Sequence, residues 1–329
     1  MDGIEAVDAG LTRFPDPSSL LAGLASVLCG NAAASDHVTL IERRPNGYAS
    51  TFPSEIVTVR IGKDETRTVF CKYDRPIDHD AHGHRHALSY EAAVYDRVLS
   101  QAGTAGPRLY GVHEAPPSGQ TWIVLESIDP HMRLDKAPDR DVIGKAARWI
   151  GAFHAANEAS ERAGRLGFLG AYDESYYLGW ARRTAEFTLK LHDRYPWLPL
   201  LCERFAEVLD LLFQNPPTVI HGEYTPHNIL VREGRIYPID WQTAAIARGE
   251  IDLACLIDGW PEQPSRSARS EYIDARWPRS APREFERTLD AALLYIQLRW
   301  LGDRPEWTDK GMHRLDRLHS IGVRLGLVR

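Results

Sequence analysis

The stretch HGEYTPHN at residues 221–228 decides how the rest of the chain is interpreted. One apolar run, Thr218 to Ile220, comes before it, and a second, Ile229 to Val231, comes after it. Short runs rich in β-branched residues are typical of strands, so the stretch is predicted to be a loop between two strands. A further β-rich run ends at Asp240, twelve residues after Asn228. Several polar side chains are therefore expected on one strand–loop–strand unit.

Three of these side chains offer oxygen ligands. Glu223 and Asp240 carry carboxylates, and Asn228 carries an amide oxygen. Such hard ligands suit Mg²⁺ that is bound together with substrate phosphates. A carboxylate five residues before a metal-binding Asn is also the spacing of kinase catalytic loops. Phosphoryl transfer is therefore the leading hypothesis, and a surface hairpin with incidental acidic residues is the alternative.

The composition excludes several other classes of protein. With 39 basic and 45 acidic residues the net charge is −6, which disfavours nucleic acid or an anionic membrane as the main partner. No apolar run approaches the ~18 residues of a membrane span, and the N-terminus lacks the pattern of a signal peptide. The cysteines form no C-x-x-C pair and are interpreted as reduced thiols: Cys29, Cys71, Cys202 and Cys255. A cytoplasmic protein is expected, and its oligomeric state is left open.

The order of periodic segments predicts a bilobal α+β protein. Residues 1–35 are interpreted as an N-terminal helical extension. Residues 36–128 are β-rich with one helix, and residues 129–329 are mainly helical around the β-rich loop. Individual predictions include strands at Glu55–Ile61 and Thr66–Tyr73, and helices at Asp141–Ala159, Tyr176–Tyr195 and Leu200–Phe213.

In this order of features the chain resembles the aminoglycoside phosphotransferase and choline kinase-like family, small-molecule relatives of the protein kinases. The most specific matches are HGE-x₄-N at 221–228, Ile239-Asp240-Trp241, and the segment from Gly249 to Ala254. The resemblance extends over residues 37–300. It implies a protein-kinase-like fold, with nucleotide binding in residues 36–128 and the catalytic loop, metal site and acceptor-binding helices in residues 129–329.

The resemblance also implies roles for residues of the loop. Glu223 would accept the proton of the acceptor hydroxyl or orient that hydroxyl toward the γ-phosphate, and Asn228 and Asp240 would hold Mg²⁺. His221 is interpreted as a scaffold for the loop, and Asp252 as an acceptor of hydrogen bonds from its backbone. The implied donor is ATP, or GTP, and the implied acceptor is a small hydroxylated compound.

Lys72 and Glu91 are the matching candidates in the β-rich part. Glu91 falls on the apolar face of a predicted helix, where a carboxylate is costly unless it is paired. The resemblance implies that Lys72 grips the α- and β-phosphates and is oriented by Glu91. A structural ion pair, or two unrelated surface charges, is the alternative.

Two further segments are assigned to the nucleotide through the resemblance. The loop at residues 44–51, with Gly47 and Ser50, would cover the phosphates. An ordinary Asn-Gly hairpin turn is the alternative for this loop. Glu126, Ser127 and Ile128 would form the segment that faces the adenine.

One residue departs from the family pattern. The family usually has Asp where this chain has Glu223, which is one methylene longer and displaces the carboxylate by about 1 Å. Either the loop is remodelled around Glu, or catalysis has been lost and a nucleotide-binding pseudokinase remains. The presence of Lys72, Glu91, Asn228 and Asp240 favours a working enzyme. A protein kinase is disfavoured because no Asp-Phe-Gly and Ala-Pro-Glu pair follows Asp240.

Closely spaced aromatic residues are the candidates for the acceptor site. Tyr176, Tyr177 and Trp180 are too closely spaced for all of them to face inward, and with Trp260 they are candidates for acceptor binding. Residues 251–290 hold eight acidic residues against six arginines, which is sparse for a polycationic aminoglycoside. Another antibiotic or natural product, a sugar and an amino alcohol all remain candidate acceptors.

A dense histidine tract remains. It comprises His79, His82, His84 and His86. A solvated, flexible loop is favoured over a zinc or nickel site, because no Cys and no regular ligand spacing accompany the tract.

Overall fold

The computed structural model of the chain describes residues 14–30, 37–48, 51–77, 79–100, 106–115, 119–137, 139, 141–158, 166–307 and 311–329. These residues fall into two compact units. The first unit comprises Met1–Ile77, Ala87–Ala93 and Pro107–Ser127. The second unit comprises Asp78–His86, Val94–Gly106 and Ile128–Arg329.

Among the described residues of the first unit, five strands form one antiparallel sheet in the order β1-β2-β3-β5-β4. The strands are β1 (Val38–Pro45), β2 (Ser54–Ile61), β3 (Glu65–Tyr73), β4 (Leu109–Ala115) and β5 (Gln120–Glu126). Alternate residues are buried because successive side chains point to opposite faces of a strand. Val57, Val59 and Val69 belong to the resulting core.

Helix α1 (Pro17–Cys29) completes this core within the first unit. Asp16 caps its N-terminus by accepting hydrogen bonds from the N–H groups of Ser18 and Ser19. Leu20 and Leu24 on one face of the helix are fully buried against the sheet. The helix predicted as part of an N-terminal extension therefore packs on the sheet of the first unit. Helix α2 (Leu88–Val94) follows β3 and continues as a π-helical segment, Tyr95–Leu99.

The second unit is mainly helical. Its longer helices are α3 (Val142–Asn157), α4 (Glu174–Phe187), α5 (Trp197–Arg204), α6 (Glu250–Ile257), α7 (Glu262–Arg276), α8 (Phe285–Leu301) and α9 (Met312–Arg324). Short 3₁₀ segments lie at Leu134–Lys136, Leu189–Leu191, Phe205–Phe213, Pro226–Asn228 and Trp241–Thr243. No helix among the described residues of the chain is long and apolar enough to cross a membrane.

Two small sheets in the described part of the second unit carry the loop at residues 221–228. One has the order β10-β9-β6 and the other β7-β11-β8. Their strands are β6 (Met132–Arg133), β7 (Gly170–Ala171), β8 (Thr218–Ile220), β9 (Ile229–Arg232), β10 (Arg235–Pro238) and β11 (Ala245–Ala247). The loop at residues 221–228 leaves β8 and enters β9, which pairs with β10 in a hairpin. A β-rich N-terminal part and a helical C-terminal part confirm the predicted α+β class.

Aromatic side chains fix the loop on helix α3. The ring of Trp149 stacks on that of Tyr224 at 6.2 Å and on that of Phe153 at 5.5 Å. Trp241 packs on Phe153 at 5.3 Å. The hydroxyl of Tyr224 donates to the carbonyl of Ala146 at 3.0 Å, so this buried polar group is satisfied. The loop is therefore anchored at its middle, and the segment that follows β10 packs on the same helix.

Candidate active site

One buried carboxylate holds the start of the loop. Asp252, in the first turn of α6, accepts hydrogen bonds from the N–H of His221 at 2.7 Å and from the N–H of Gly222 at 2.9 Å. His154 Nε2 lies 3.1 Å from the same carboxylate. The Asp252 carboxylate therefore holds two backbone N–H groups of the loop and is itself in contact with a histidine. These contacts fix the backbone at the start of the loop.

His221 ties the loop to the strand that leads to Asp240. Its Nε2 donates to the carbonyl of Ile239 at 2.9 Å, and its Nδ1 accepts from the N–H of Glu223 at 3.3 Å. These partners require a neutral imidazole with its proton on Nε2. The ring is fully buried, and both of its nitrogens have backbone partners.

Asn228 and Asp240 come together at one end of the β9–β10 hairpin. The carbonyl of Asn228 accepts from the N–H of Ile239 at 2.9 Å, which places Asp240 next to this pair. The amide nitrogen of Asn228 donates to the carbonyl of Glu223 at 3.1 Å. The amide oxygen is therefore the atom of Asn228 that can bind a cation. Asp240 has φ +66, a left-handed conformation that is uncommon outside glycine and is enriched in Asp and Asn.

Glu223 is paired with an arginine from helix α8. Its Oε1 accepts a hydrogen bond from Arg299 Nη1 at 2.7 Å, and His84 Nε2 lies 3.3 Å from the same oxygen. Burial alone would raise the pKa of this carboxyl, but the charge of Arg299 lowers it below its ordinary value. Glu223 is therefore an ionised carboxylate at neutral pH.

His84 is a buried member of the same group. Burial and the nearby charge of Arg299 lower its pKa from 6.5 to about 4, so it is neutral at pH 7. Its Nδ1 lies 3.0 Å from the hydroxyl of Tyr172 and 3.0 Å from that of Tyr176. Its Nε2 makes a short hydrogen bond with Arg299 Nη1.

Lys72 and Glu91 form a buried ion pair in the first unit. Lys72 Nζ lies 2.6 Å from Glu91 Oε2, and the two residues are 4% and 1% exposed. The ammonium group also packs over the ring of Phe52 at 5.4 Å. This geometry excludes the interpretation of the two residues as unrelated surface charges.

The remaining residues assigned to the nucleotide lie in several places. Gly47 is exposed between β1 and β2, and Ser50 lies outside the described residues. Glu126 ends β5 and accepts from the N–H of Arg108 at 3.3 Å. Ser127 ends the first unit, and Ile128 packs with Leu230 and Tyr237 in the second.

The family can now be stated. The model of APH, described as a phosphotransferase enzyme family, matches residues 57–285. The chain belongs to the APH phosphotransferase family. This agrees with the family resemblance seen in the sequence. The chain is a phosphotransferase that acts on hydroxyl groups of small molecules. A comparison with curated protein sequences gave no match.

Solved structures with the same fold support this assignment at the level of architecture. The streptomycin–ATP complex of APH(2")-IIa has a TM-score of 0.60 at 13% identity, covering 92% of this chain and 97% of the other. A choline kinase from Streptococcus pneumoniae has a TM-score of 0.59 at 13% identity, covering 92% and 96%. The GDP and kanamycin complex of APH(2")-IIIa has a TM-score of 0.58 at 14% identity, covering 88% and 96%. The predicted protein-kinase-like fold is confirmed.

Within the phosphotransferase, the aromatic residues predicted for the acceptor separate into two groups. Tyr177 and Trp180 are fully buried in the second unit, which corrects the expectation that they line a pocket. Tyr176 is half-buried, and its hydroxyl contacts His84. Trp260 lines a cavity of about 350 Å³ together with Thr225, Pro226 and His227 of the catalytic loop.

Of the histidine tract of the phosphotransferase, His84 is buried, and His79, His82 and His86 are partly exposed. His84 is 2% exposed, and His82 stacks on Tyr176 at 5.7 Å. His79 Nε2 contacts Asp303 at 2.9 Å. The expectation of a solvated loop was wrong for His84, because the tyrosines of the second unit supply partners that the local sequence does not show. Among the described residues no group of three or more His, Cys, Asp or Glu side chains could hold a metal ion.

Arg299 and His84 are the site residues that sequence reasoning missed. Arg299 is the one charged residue in the mostly apolar stretch from Ala291 to Leu301, and a charge that is buried in such a helix needs a partner. That signal was present in the sequence, although it did not name the partner. Nothing local distinguishes His84 from the other histidines of its tract.

Proposed function

We propose that this phosphotransferase transfers the γ-phosphate of ATP to a hydroxyl group of a small molecule, with Glu223 at the acceptor hydroxyl and Mg²⁺ on Asn228 and Asp240. The observation that carries the proposal is the fixed geometry of the catalytic loop. Asp252 and His221 lock its backbone, and the carbonyl of Asn228 binds the N–H of Ile239 at 2.9 Å. Positioning of this kind is the main contribution that a protein makes to phosphoryl transfer.

The residues at the hairpin end fit Mg²⁺. They offer one amide oxygen and one carboxylate, and Mg²⁺ is commonly bound by one or two carboxylates together with phosphate oxygens and water. When bound, Mg²⁺ would neutralise charge on the phosphate oxygens. The protein would hold the side-chain oxygens of Asn228 and Asp240 in place so that both can bind the ion.

Glu223 and Lys72 would act on the two reactants. The ionised carboxylate of Glu223 accepts a hydrogen bond from the acceptor hydroxyl and orients its oxygen for attack. Lys72 holds phosphate oxygens of the nucleotide, and Glu91 keeps its ammonium group in place at 2.6 Å. ATP is proposed as the donor. The rate of transfer with GTP, measured under the same conditions, tests this choice.

The charges around the loop favour an acceptor with little positive charge. Asp258, which lines the cavity beside the loop, is paired with Arg314 at 2.8 Å and Arg317 at 3.3 Å. Asp135 in the same lining lies 3.3 Å from Arg133 and 3.2 Å from His227. Because these carboxylates already have cationic partners, a polycationic aminoglycoside would gain little from them. A neutral or singly charged sugar, amino alcohol or natural product is the proposed acceptor class.

The metal assignment is tested by Asp240→Ala. We expect phosphoryl transfer in Mg²⁺ and ATP to fall to background, with an unchanged melting temperature, because the substitution removes the carboxylate at the hairpin end. Asp193→Ala, at an exposed position, is the matched control and should transfer as the wild type does. Product formation is followed by mass spectrometry of the acceptor, and activity retained in Asp240→Ala would contradict the assignment.

A further inference from the structure

The carboxylate of Glu223 is anchored through one of its two oxygens. Oε1 accepts from Arg299 Nη1 at 2.7 Å. Within the described residues no hydrogen bond to Oε2 is formed. The side chain of Glu223 is 24% exposed, whereas that of Arg299 is only 11% exposed. One oxygen is therefore held from inside the protein, and the other is the one available to a ligand.

His84 determines how Arg299 is oriented. A guanidinium group can only donate hydrogen bonds, so the short contact between Arg299 Nη1 and His84 Nε2 requires an unprotonated Nε2. The proton of the neutral imidazole then lies on Nδ1, 3.0 Å from the hydroxyls of Tyr172 and Tyr176. The two hydrogens of Nη1 are thus directed to His84 and to Glu223. The separation of 3.3 Å between His84 Nε2 and Glu223 Oε1 follows from this shared neighbour.

The histidine tract is itself fixed to the end of helix α8. Arg85 donates to both oxygens of Asp303, at 3.1 and 2.9 Å, and His79 contacts Asp303 as well. Asp303 follows α8 by two residues, and Arg299 lies in the last turn of the same helix. The segment that supplies His84 and the helix that supplies Arg299 are therefore held to each other by a second ion pair.

We propose that Arg299 is a positioning residue for Glu223, and that His84 orients the guanidinium group of Arg299 for this task. This inference rests on the proposed function. An Asp at position 223 would place its carboxylate about 1 Å closer to the backbone, and Arg299 instead draws the longer side chain to a fixed point. The glutamate is then a residue matched to its arginine, and the loop is remodelled around Glu223 instead of being degraded by it.

The first test is Glu223→Asp, which introduces the residue that the family usually has. We expect kcat to fall about 10²-fold with little change in the KM for ATP, because the shorter side chain cannot keep its hydrogen bond to Arg299 and is no longer positioned. The assay uses the hydroxyl compound that the wild type phosphorylates fastest, or water as the acceptor if hydrolysis of Mg²⁺–ATP is faster. A variant as active as the wild type would overturn the proposal.

The second test is a double-mutant cycle on the pair. Arg299→Gln should lower kcat about 10²-fold, and Arg299→Lys should recover part of that loss because it keeps a donor and the charge. In a Glu223→Gln background, Arg299→Gln should cause no further loss, since Arg299 acts only through Glu223. Arg324→Gln, which breaks the ion pair with Asp290, is the matched control and should leave kcat unchanged.

The outcomes separate this inference from the proposed function. A wild-type protein that transfers phosphate to no acceptor, water included, would overturn the proposed function and this inference with it. A wild type that transfers phosphate while the losses from Glu223→Gln and Arg299→Gln simply add would overturn the positioning role alone. The melting temperatures of the wild type, Glu223→Gln, Arg299→Gln and the double variant show whether Glu223 and Arg299 interact. Absence of coupling in them would overturn the inference irrespective of turnover.

Discussion

At Gly222 the backbone turns through a left-handed conformation, with φ +82, directly before Glu223. A Cβ at this position would lie 2.2 Å from the carbonyl oxygen of Thr243, a backbone atom that cannot move aside cheaply. The position therefore requires glycine for both its dihedral angle and the space around it. The identity of residue 222 is as important for the loop as that of the charged residue after it.

Gly222→Ala is expected to reduce both stability and activity. The left-handed conformation costs an alanine about 1–2 kcal/mol before the clash is counted, and a shift of about 1 Å at Glu223 would lower kcat on the order of 10²-fold. Gly234→Ala is the control, since Gly234 has φ +74 but its Cβ would meet only Lys145 Nζ, at 3.4 Å. Chemical unfolding and kcat are measured for both variants. Equal losses of kcat in the two would contradict the role assigned to Gly222.

Some residues of the candidate site are apparent from the sequence and others are not. Glu223, Asn228 and Asp240 lie within 18 residues of one another, so their proximity follows from one hairpin. Arg299 is separated from Glu223 by 76 positions, and their contact depends on how helix α8 packs. Contacts of that kind are set by tertiary structure and leave no local pattern.

At the scale of elements, the strands predicted from the sequence agree closely with the observed ones. The strands predicted at Glu55–Ile61 and Thr66–Tyr73 correspond to β2 (Ser54–Ile61) and β3 (Glu65–Tyr73). Alternation of buried and exposed side chains gave a direct signal there. The helix predicted at Leu200–Phe213 is instead an α-helix that ends at Arg204 and a 3₁₀ segment from Phe205 to Phe213. No Gly or Pro lies within 204–213, so no local signal marks this change.

The packed histidine segment at residues 79–86 makes stability depend on pH. His84 faces Arg299 and Glu223, and Tyr172 and Tyr176 lie on its other nitrogen. Its pKa is about 4 in the folded protein against 6.5 ordinarily, so the unfolded chain takes up the proton first as the pH falls. Its contribution is therefore complete above pH 6.5 and is lost as the pH falls toward 4.

We expect His84 to account for about 2 kcal/mol of the unfolding free energy that is lost between pH 7.5 and pH 4.5. The measurement is urea unfolding at both pH values for the wild type and for His84→Gln, in which this loss should disappear. His313→Gln, at an exposed histidine, should keep the wild-type dependence. An equal dependence in the wild type and His84→Gln would show that the buried imidazole does not titrate in this way.

At the scale of the whole molecule, the reaction is better determined than the acceptor. The chain belongs to the APH phosphotransferase family, and its fold is shared with aminoglycoside phosphotransferases and a choline kinase. Such a fold supports transfer to many acceptors, because the acceptor is recognised by side chains that vary on a common framework. Here the acidic residue Asp258 beside the loop is paired with Arg314 and Arg317.

The central claim is tested most directly by phosphoryl transfer from ATP, in Mg²⁺, to a panel of hydroxyl compounds that range from neutral to polycationic. The product is identified by mass spectrometry for the wild type and for Glu223→Gln. We predict that the wild type phosphorylates a neutral or singly charged compound in preference to polycationic ones, and that Glu223→Gln keeps only a small residual rate. Nucleotide binding without transfer to any compound, unchanged in Glu223→Gln, would contradict the account and indicate a nucleotide-binding module.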